Sequence, residues 1–409
     1  MNEDILAIAE KCSKVYEVNY SELPLLRPYL ESFLDRQWLD TKLAEYKVWA
    51  RDNSEPFLQH YFLHRPTGFN MLVAAIWAAH YWENEYRSDA SFQLRMGSIR
   101  LMNIACCLAV LELHAGQYLD FASREHLKQR LQSNNDLWGI IHELNTFAFF
   151  IRQGAKIKPH FLKKASEQEI TVNWHGTVIP VQCKNLRPGS GRRISQELFI
   201  NLASSIALDM RKANKSLFIK IGATDNIPEE DIDFLRAQAQ KYAGNTIAPM
   251  PVKNRQRIYS IMGQQLSNQV TDLLSEGLHH RMVISEPEVR SGEFKPVAIV
   301  GIESNPIEKP LNSLSSAIMK KVRQLQGDKP GILAIYYTDP VEDFDALCPS
   351  PLTMQLFISK LLTPFPHMGV VILSSEPDYL GTAENESGKT RIYFRKPWAF
   401  PKDFLLDNP

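Results

Sequence analysis

Asp136-Leu-Trp-Gly-Ile-Ile-His-Glu143-Leu-Asn-Thr-Phe-Ala-Phe-Phe-Ile-Arg-Gln-Gly154 is followed, beyond residue 168, by Glu169-Ile-Thr-Val-Asn-Trp174, then His175-Gly176, then Thr177-Val-Ile-Pro-Val-Gln-Cys-Lys184. The first segment carries apolar residues at 137, 140, 141, 144, 147, 148 and 151, the spacing of one helix face. Asp136 suits the N-cap, and Gly154 suits the left-handed position where helices stop. Glu143 stands at the edge of the apolar stripe, so the spacing predicts a part-buried carboxylate.

The segments after Gly154 alternate between apolar and polar residues: Ala155 to Phe161, 169 to 174 and 177 to 183. His175-Gly176 reads as a two-residue hairpin turn, with Gly supplying positive φ. If Trp174 faces Thr177, Glu169 falls opposite Gln182 and Glu167 opposite Lys184, all four on one face. Two carboxylates, an amide and an ammonium then converge at the open end of the ribbon, and Glu143 approaches if the helix packs there. Such a cluster suits a hard divalent cation. Mg²⁺ takes one or two carboxylates and leaves its other positions to water and phosphate oxygens. The Cys183 backbone carbonyl can complete the set, and a neighbouring ammonium can steady charge developing on a phosphate. The Cys183 side chain points to the opposite, core-facing side, where cysteine acts as a small hydrophobe.

Helix-borne Glu143, acidic Glu169, the hairpin and Gln182-Cys183-Lys184 together resemble the catalytic core of the PD-(D/E)XK nuclease superfamily, and the glutamine resembles its Mrr-like restriction endonucleases. The resemblance implies an α/β fold with a restriction-endonuclease-like mixed sheet flanked by helices. It also implies Mg²⁺-dependent cleavage of nucleic acid, with DNA as substrate and Mn²⁺ able to substitute. Glu169 then takes the place of the first acid, Gln182 the second and Lys184 the lysine that assists water attack, with Glu143 as the helix acid. Glu143, Glu169, Gln182 and the Cys183 carbonyl become the metal ligands. The sequence departs from the family pattern twice. The first acid is a glutamate, which leaves Glu167 or Thr171 as alternative aligned positions. The second acid is an amide, which keeps a carbonyl oxygen but removes one negative charge.

Arg187, Arg192 and Arg193 follow Lys184 in a loop containing Gly189 and Gly191. Arginine matches phosphate bidentately, so this loop is the expected nucleic-acid grip. A helix over 194–214 and a strand over 216–221 then supply the expected next units of the same sheet. Further on, the pattern predicts a helix over 229–243, a basic loop over 245–258 and a helix over 259–276. It then predicts strands near 280–285, 294–302, 331–337, 368–374 and 390–395, with helices over 311–326 and 351–363. Two domains are expected: a helical one over 1–135 and an α/β one over 136–409.

The first 135 residues read as helices over 3–17, 22–49, 54–63, 68–87, 91–115 and 122–132, a recognition or partner-binding domain. Cutting both strands of a duplex needs two sites, which makes a homodimer an expectation. The chain has 46 Lys+Arg and 46 Asp+Glu, so no global field attracts nucleic acid and a local patch must. Five cysteines, at 12, 106, 107, 183 and 348, form no C-x-x-C pair, which argues for a reducing cytoplasm and against structural zinc. Glu3 and Asp4 argue against a signal peptide, and the longest apolar run, 104 to 111, is too short to span a bilayer. The sequence has no P-loop, no G-x-S-x-G and no G-x-G-x-x-G, so NTPase, serine-hydrolase and dinucleotide chemistry lack their cradles. The competing expectation is a catalytically silent nuclease-fold subunit that binds nucleic acid or a protein partner, as in a prokaryotic defence system.

Overall fold

Side-chain caps start several helices of the N-terminal region: Asn2 accepts from Ile5 N–H, Asp35 from Trp38, Asn70 from Leu72 and Asp120 from Ser123. Each satisfies a backbone donor that the first turn leaves without a partner. The computed structural model describes residues 1–15, 19–52, 70–85, 92–163, 169–174, 176–186, 194, 196–213, 217–223, 226–242, 246–265, 280–287, 294–304, 310–323, 325, 331–337, 351–365, 367–375 and 390–394. The first helices are α1 (Glu3–Cys12), α2 (Leu23–Phe33), α3 (Arg36–Asp52), α4 (Met71–Glu85), α5 (Phe92–Ala115) and α6 (Phe121–Gln132). The helix expected over 22–49 is broken at Leu34, whose backbone is extended, and the one expected over 54–63 lies outside the described residues.

Next come α7 (Leu137–Arg152), β1 (Lys156–Pro159), β2 (Ile170–Trp174) and β3 (Thr177–Leu186). Asp136 holds the N-cap position of α7, but it is itself helical and its side chain accepts no capping bond. Gly154 (φ 75°) and Gly176 (φ 85°) both take the left-handed conformation their positions required. The hairpin register is the expected one, with Trp174 facing Thr177 and Ile170 facing Val181.

The chain continues through α8 (Gln196–Lys212), β4 (Leu217–Ala223), α9 (Ile232–Tyr242), β5 (Thr246–Asn254), β6 (Arg257–Gln265), β7 (His280–Pro287) and β8 (Phe294–Ser304). The last elements are α10 (Pro310–Val322), β9 (Gly331–Tyr337), α11 (Pro351–Leu362), β10 (Met368–Ser375) and β11 (Thr390–Phe394). Among the described residues the fold is mixed α/β with two sheets. One is six-stranded, in the order β1-β2-β3-β9-β10-β11, and the other five-stranded, in the order β5-β6-β4-β8-β7. In the first, β3–β9 and β9–β10 are parallel and the other pairs antiparallel. In the second only β4–β8 is parallel.

Two compact units result, one formed by residues 1–186 with 315–409, the other by 187–314. Three expectations change accordingly. The division at 135/136 is not a boundary: one core runs from Ile5 and Leu26 through Leu108, Phe147 and Phe150 to Val181, Ile332 and Val370. Fully burying side chains of this size contributes about 1.5–3 kcal/mol each. The strand expected over 216–221 belongs to the second sheet, and the neighbour that β3 acquires after its crossover is β9, reached through α10. The loop expected over 245–258 and the helix over 259–276 are replaced, as far as residue 265, by the β5–β6 hairpin; residues 266–279 lie outside the described ones. Pro249 and Pro251 are tolerated because β5 is an edge strand.

The face of β3 that carries Ile179, Val181 and Cys183 packs into the core with α7. Gln182 and Lys184, by alternation, point to the other face. The segment Gly97–Tyr118 is long and apolar enough to cross a membrane, and most of its apolar 18-residue stretch, 67%, is buried within the protein.

Candidate active site at the mouth of the hairpin

Glu169 immediately precedes β2, and the backbone holds it from two sides. Its carbonyl accepts from the N–H groups of His160 (2.8 Å) and Phe161 (2.9 Å), which ties down the chain between β1 and β2. Its carboxylate then reaches across the open end of the hairpin, where Oε2 accepts from the Cys183 N–H at 3.1 Å. Alternation along a strand sends the N–H and C=O of one residue to the same edge, so the Cys183 carbonyl faces this end of the sheet as well.

Gln182 sits inside β3 and is only 1% exposed. Its Oε1 accepts from the Lys321 ammonium at 3.1 Å, and the same ammonium donates to Glu169 Oε1 at 2.9 Å. The two oxygens therefore converge on a single cation position, and a lysine from the last turn of α10 stands in it. Lys184 lies two residues beyond Gln182 on the same face and is half-buried.

Glu143 is buried on α7 but is engaged elsewhere. Arg130 of α6 grips it with both terminal nitrogens, at 2.5 and 3.0 Å. Burial, the largest influence, pushes the Glu143 carboxyl up to about 7 against the pull of Arg130; the Glu169 charge adds to the rise and the Lys321 charge opposes it. Burial also works against the Arg130 charge, but the Glu143 partnership outweighs it and the guanidinium pKa is raised. The third oxygen ligand expected from the helix is thus held by an arginine. Among the described residues no group of three or more His, Cys, Asp or Glu is placed to hold a metal ion.

Cys183 is 5% exposed. Burial, reinforced by the Glu169 and Glu143 charges, raises its thiol pKa well above the ordinary value. That fits the expected role of a small apolar side chain and not of a nucleophile. Glu167, Arg187, Arg192 and Arg193 lie outside the described residues. The structure thus brings Glu169 and Gln182 together, places Lys184 two residues along the same strand from Gln182, and assigns Glu143 to a neighbouring ion pair.

Sequence reasoning missed two residues, Arg130 and Lys321. A signal for Lys321 existed. Leu314, Ala317, Ile318 and Leu325 are buried, and position 321 shares their helical spacing, so a lysine sits where that stripe calls for an apolar residue. A charge on an apolar stripe has to find a partner. No family model, no characterised protein and no solved structure matches this chain.

Proposed function

We propose that the chain is a nuclease-fold protein that hydrolyses phosphodiester bonds of nucleic acid, DNA in the first instance, at the mouth of the β2–β3 hairpin. The observation that carries this reading is the convergence of Glu169 Oε1 and Gln182 Oε1 on one cation position at an open strand end. The order of α7, three antiparallel strands, then α10 and a strand parallel to β3 supports the resemblance to the PD-(D/E)XK core. The donor pair fits one hard divalent ion, Mg²⁺ or Mn²⁺, with the Lys321 ammonium as its stand-in. Glu169, Gln182 and the Cys183 carbonyl would hold the ion, which suits Mg²⁺ because it takes few carboxylates and keeps several waters. When bound, such an ion supplies Lewis-acid polarisation of a phosphate and its attacking water.

The rest of the chemistry falls to side chains of this chain. Lys184, on the same face, presents a proton-bearing Nζ to the non-bridging phosphate oxygens and offsets the charge that grows there. Glu143 braces α7 against Arg130 and stays out of the ligand set. Arg187, Arg192 and Arg193 remain the phosphate-binding residues expected from the sequence, by the bidentate match of arginine to phosphate.

Incubation of supercoiled plasmid with the purified protein and Mg²⁺ or Mn²⁺ is expected to give nicked product, and Lys184→Ala and Glu169→Ala are each expected to lose at least about 100-fold in rate. Nicking that survives in both variants would overturn the assignment. A second reading draws on the neutralisation of both carboxylates by cations of the chain, Arg130 on Glu143 and Lys321 on Glu169. On that reading the fold binds nucleic acid or a protein partner without cutting. DNA retained on the wild-type protein with no cleavage under either metal would favour it.

A further inference from the structure

Lys321 has no part in the resemblance, yet it holds the central position of the site. Its ammonium lies 2.9 Å from Glu169 and 3.1 Å from Gln182 and is only partly exposed. The Lys321–Glu169 pair sums to zero charge, and Gln182, being an amide, adds none. A divalent ion entering this cluster would face the ammonium across a few ångströms with a single carboxylate to offset it. Like charges at that spacing in a poorly solvated site repel strongly. The same two oxygens cannot serve both cations.

We infer that Lys321 is an internal lock: its ammonium and the divalent ion compete for the same two oxygens, and a nucleic-acid phosphate is the anion that draws the lysine away. The inference rests on the nuclease reading above and adds a condition to it. Lysine is built for this exchange. It is a compact charge on a four-carbon stem with several rotatable bonds, so it can leave its seat without movement of α10. A phosphodiester arriving at the strand end carries one negative charge, as Glu169 does, so the ammonium exchanges one anion for another while the carboxylate and amide oxygens are freed for the divalent ion. Metal and nucleic acid then bind with positive cooperativity, and the free protein holds little metal.

The test measures Mn²⁺ binding to the full-length protein by electron paramagnetic resonance or calorimetry, with and without a short phosphorothioate DNA duplex as a slowly cleaved phosphate source. Lys321→Met, which keeps the stem and drops the charge, is expected to bind Mn²⁺ at least about tenfold more tightly than wild type without DNA. Adding the duplex is expected to tighten wild type and to leave Lys321→Met nearly unchanged. Glu169→Gln in the Lys321→Met background is expected to abolish the gain, which locates the ion. Lys321→Gln serves as a second neutral variant, and circular dichroism checks that each variant is folded. Equal, Glu169-dependent affinities for wild type and both neutral variants would overturn the lock and leave the nuclease reading standing. No Mn²⁺ binding in any folded variant, with or without DNA, would remove both.

Discussion

His142 and Glu143 are consecutive on α7 and both buried, and burial drives their titrations in opposite senses. Burial lowers the imidazole of His142 to about 4, although its Nε2 contact with the Ala334 carbonyl works the other way. Burial raises Glu143 from 4.5 to about 7. Between these values and the ordinary ones, the folded chain holds a proton on Glu143 that the unfolded chain has lost, and lacks one on His142 that the unfolded chain has gained. The Glu143 contribution to stability is therefore fully present below about pH 4.5 and fades as pH rises through about 7, while the His142 contribution grows between about 4 and 6.5. The two act in opposite senses over overlapping ranges of pH. In Glu143→Gln the falling component disappears, so urea unfolding at pH 5 and pH 7 is expected to show the variant gaining on wild type at the higher pH. The limit is about 1.4 kcal/mol per pH unit, and a difference that does not change with pH would contradict the assignment. At this scale Glu169, Gln182 and Lys184 were legible because a two-residue turn fixes their register by arithmetic. Arg130 and Lys321 were not, because nothing in the linear text ties either one to the carboxylate it meets.

The β2–β3 and β5–β6 hairpins show what makes an element readable. The first carries its turn glycine, Gly176, in the left-handed conformation; the second makes the same demand of Arg255, whose φ is 54°. With no glycine to mark the turn and prolines at 249 and 251, the text from 245 to 258 looked like a loop. The alternation that would have corrected it lies in β6, where Tyr259 and Ile261 are buried and Ile258 is 54% exposed. Helix pairing was readable as pattern but not as contact. A Cβ built at Gly97 of α5 would lie 2.6 Å from the Ala78 Cβ of α4, and a methyl group so short has no flexible end to swing aside. Gly97→Ala is expected to cost about 1–3 kcal/mol as the two helices move apart, more than the small gain in helix propensity returns. Thermal unfolding of the variant checks this, and an unchanged or higher midpoint would show that the helices can separate freely.

Across the whole molecule, strand positions were mostly recovered while the partition into units was not. Continuous apolar runs such as 331–337 and 368–374 announce buried strands, but nothing local says which sheet they join. The chain leaves the first sheet after Leu186, builds the second unit, and returns at Ser315. The N-terminal helices meanwhile share one core with that first sheet. Expression of 136–409 alone is therefore expected to give aggregated protein, because removal of α1 to α6 uncovers the apolar face of α7. Gel filtration decides the point, and a monodisperse, folded fragment would show that the helices are dispensable.

The insertion also separates neighbourhood in space from neighbourhood in text. A hydrogen bond joins Gln182 and Lys321 across a sequence separation of 139, and the whole of the second unit falls between them. A pattern written as residues at fixed gaps would pass over every relative whose inserted piece differs in size. The trait to look for is a lysine interrupting the greasy side of the helix that leads back into the sheet, wherever along the chain that helix falls.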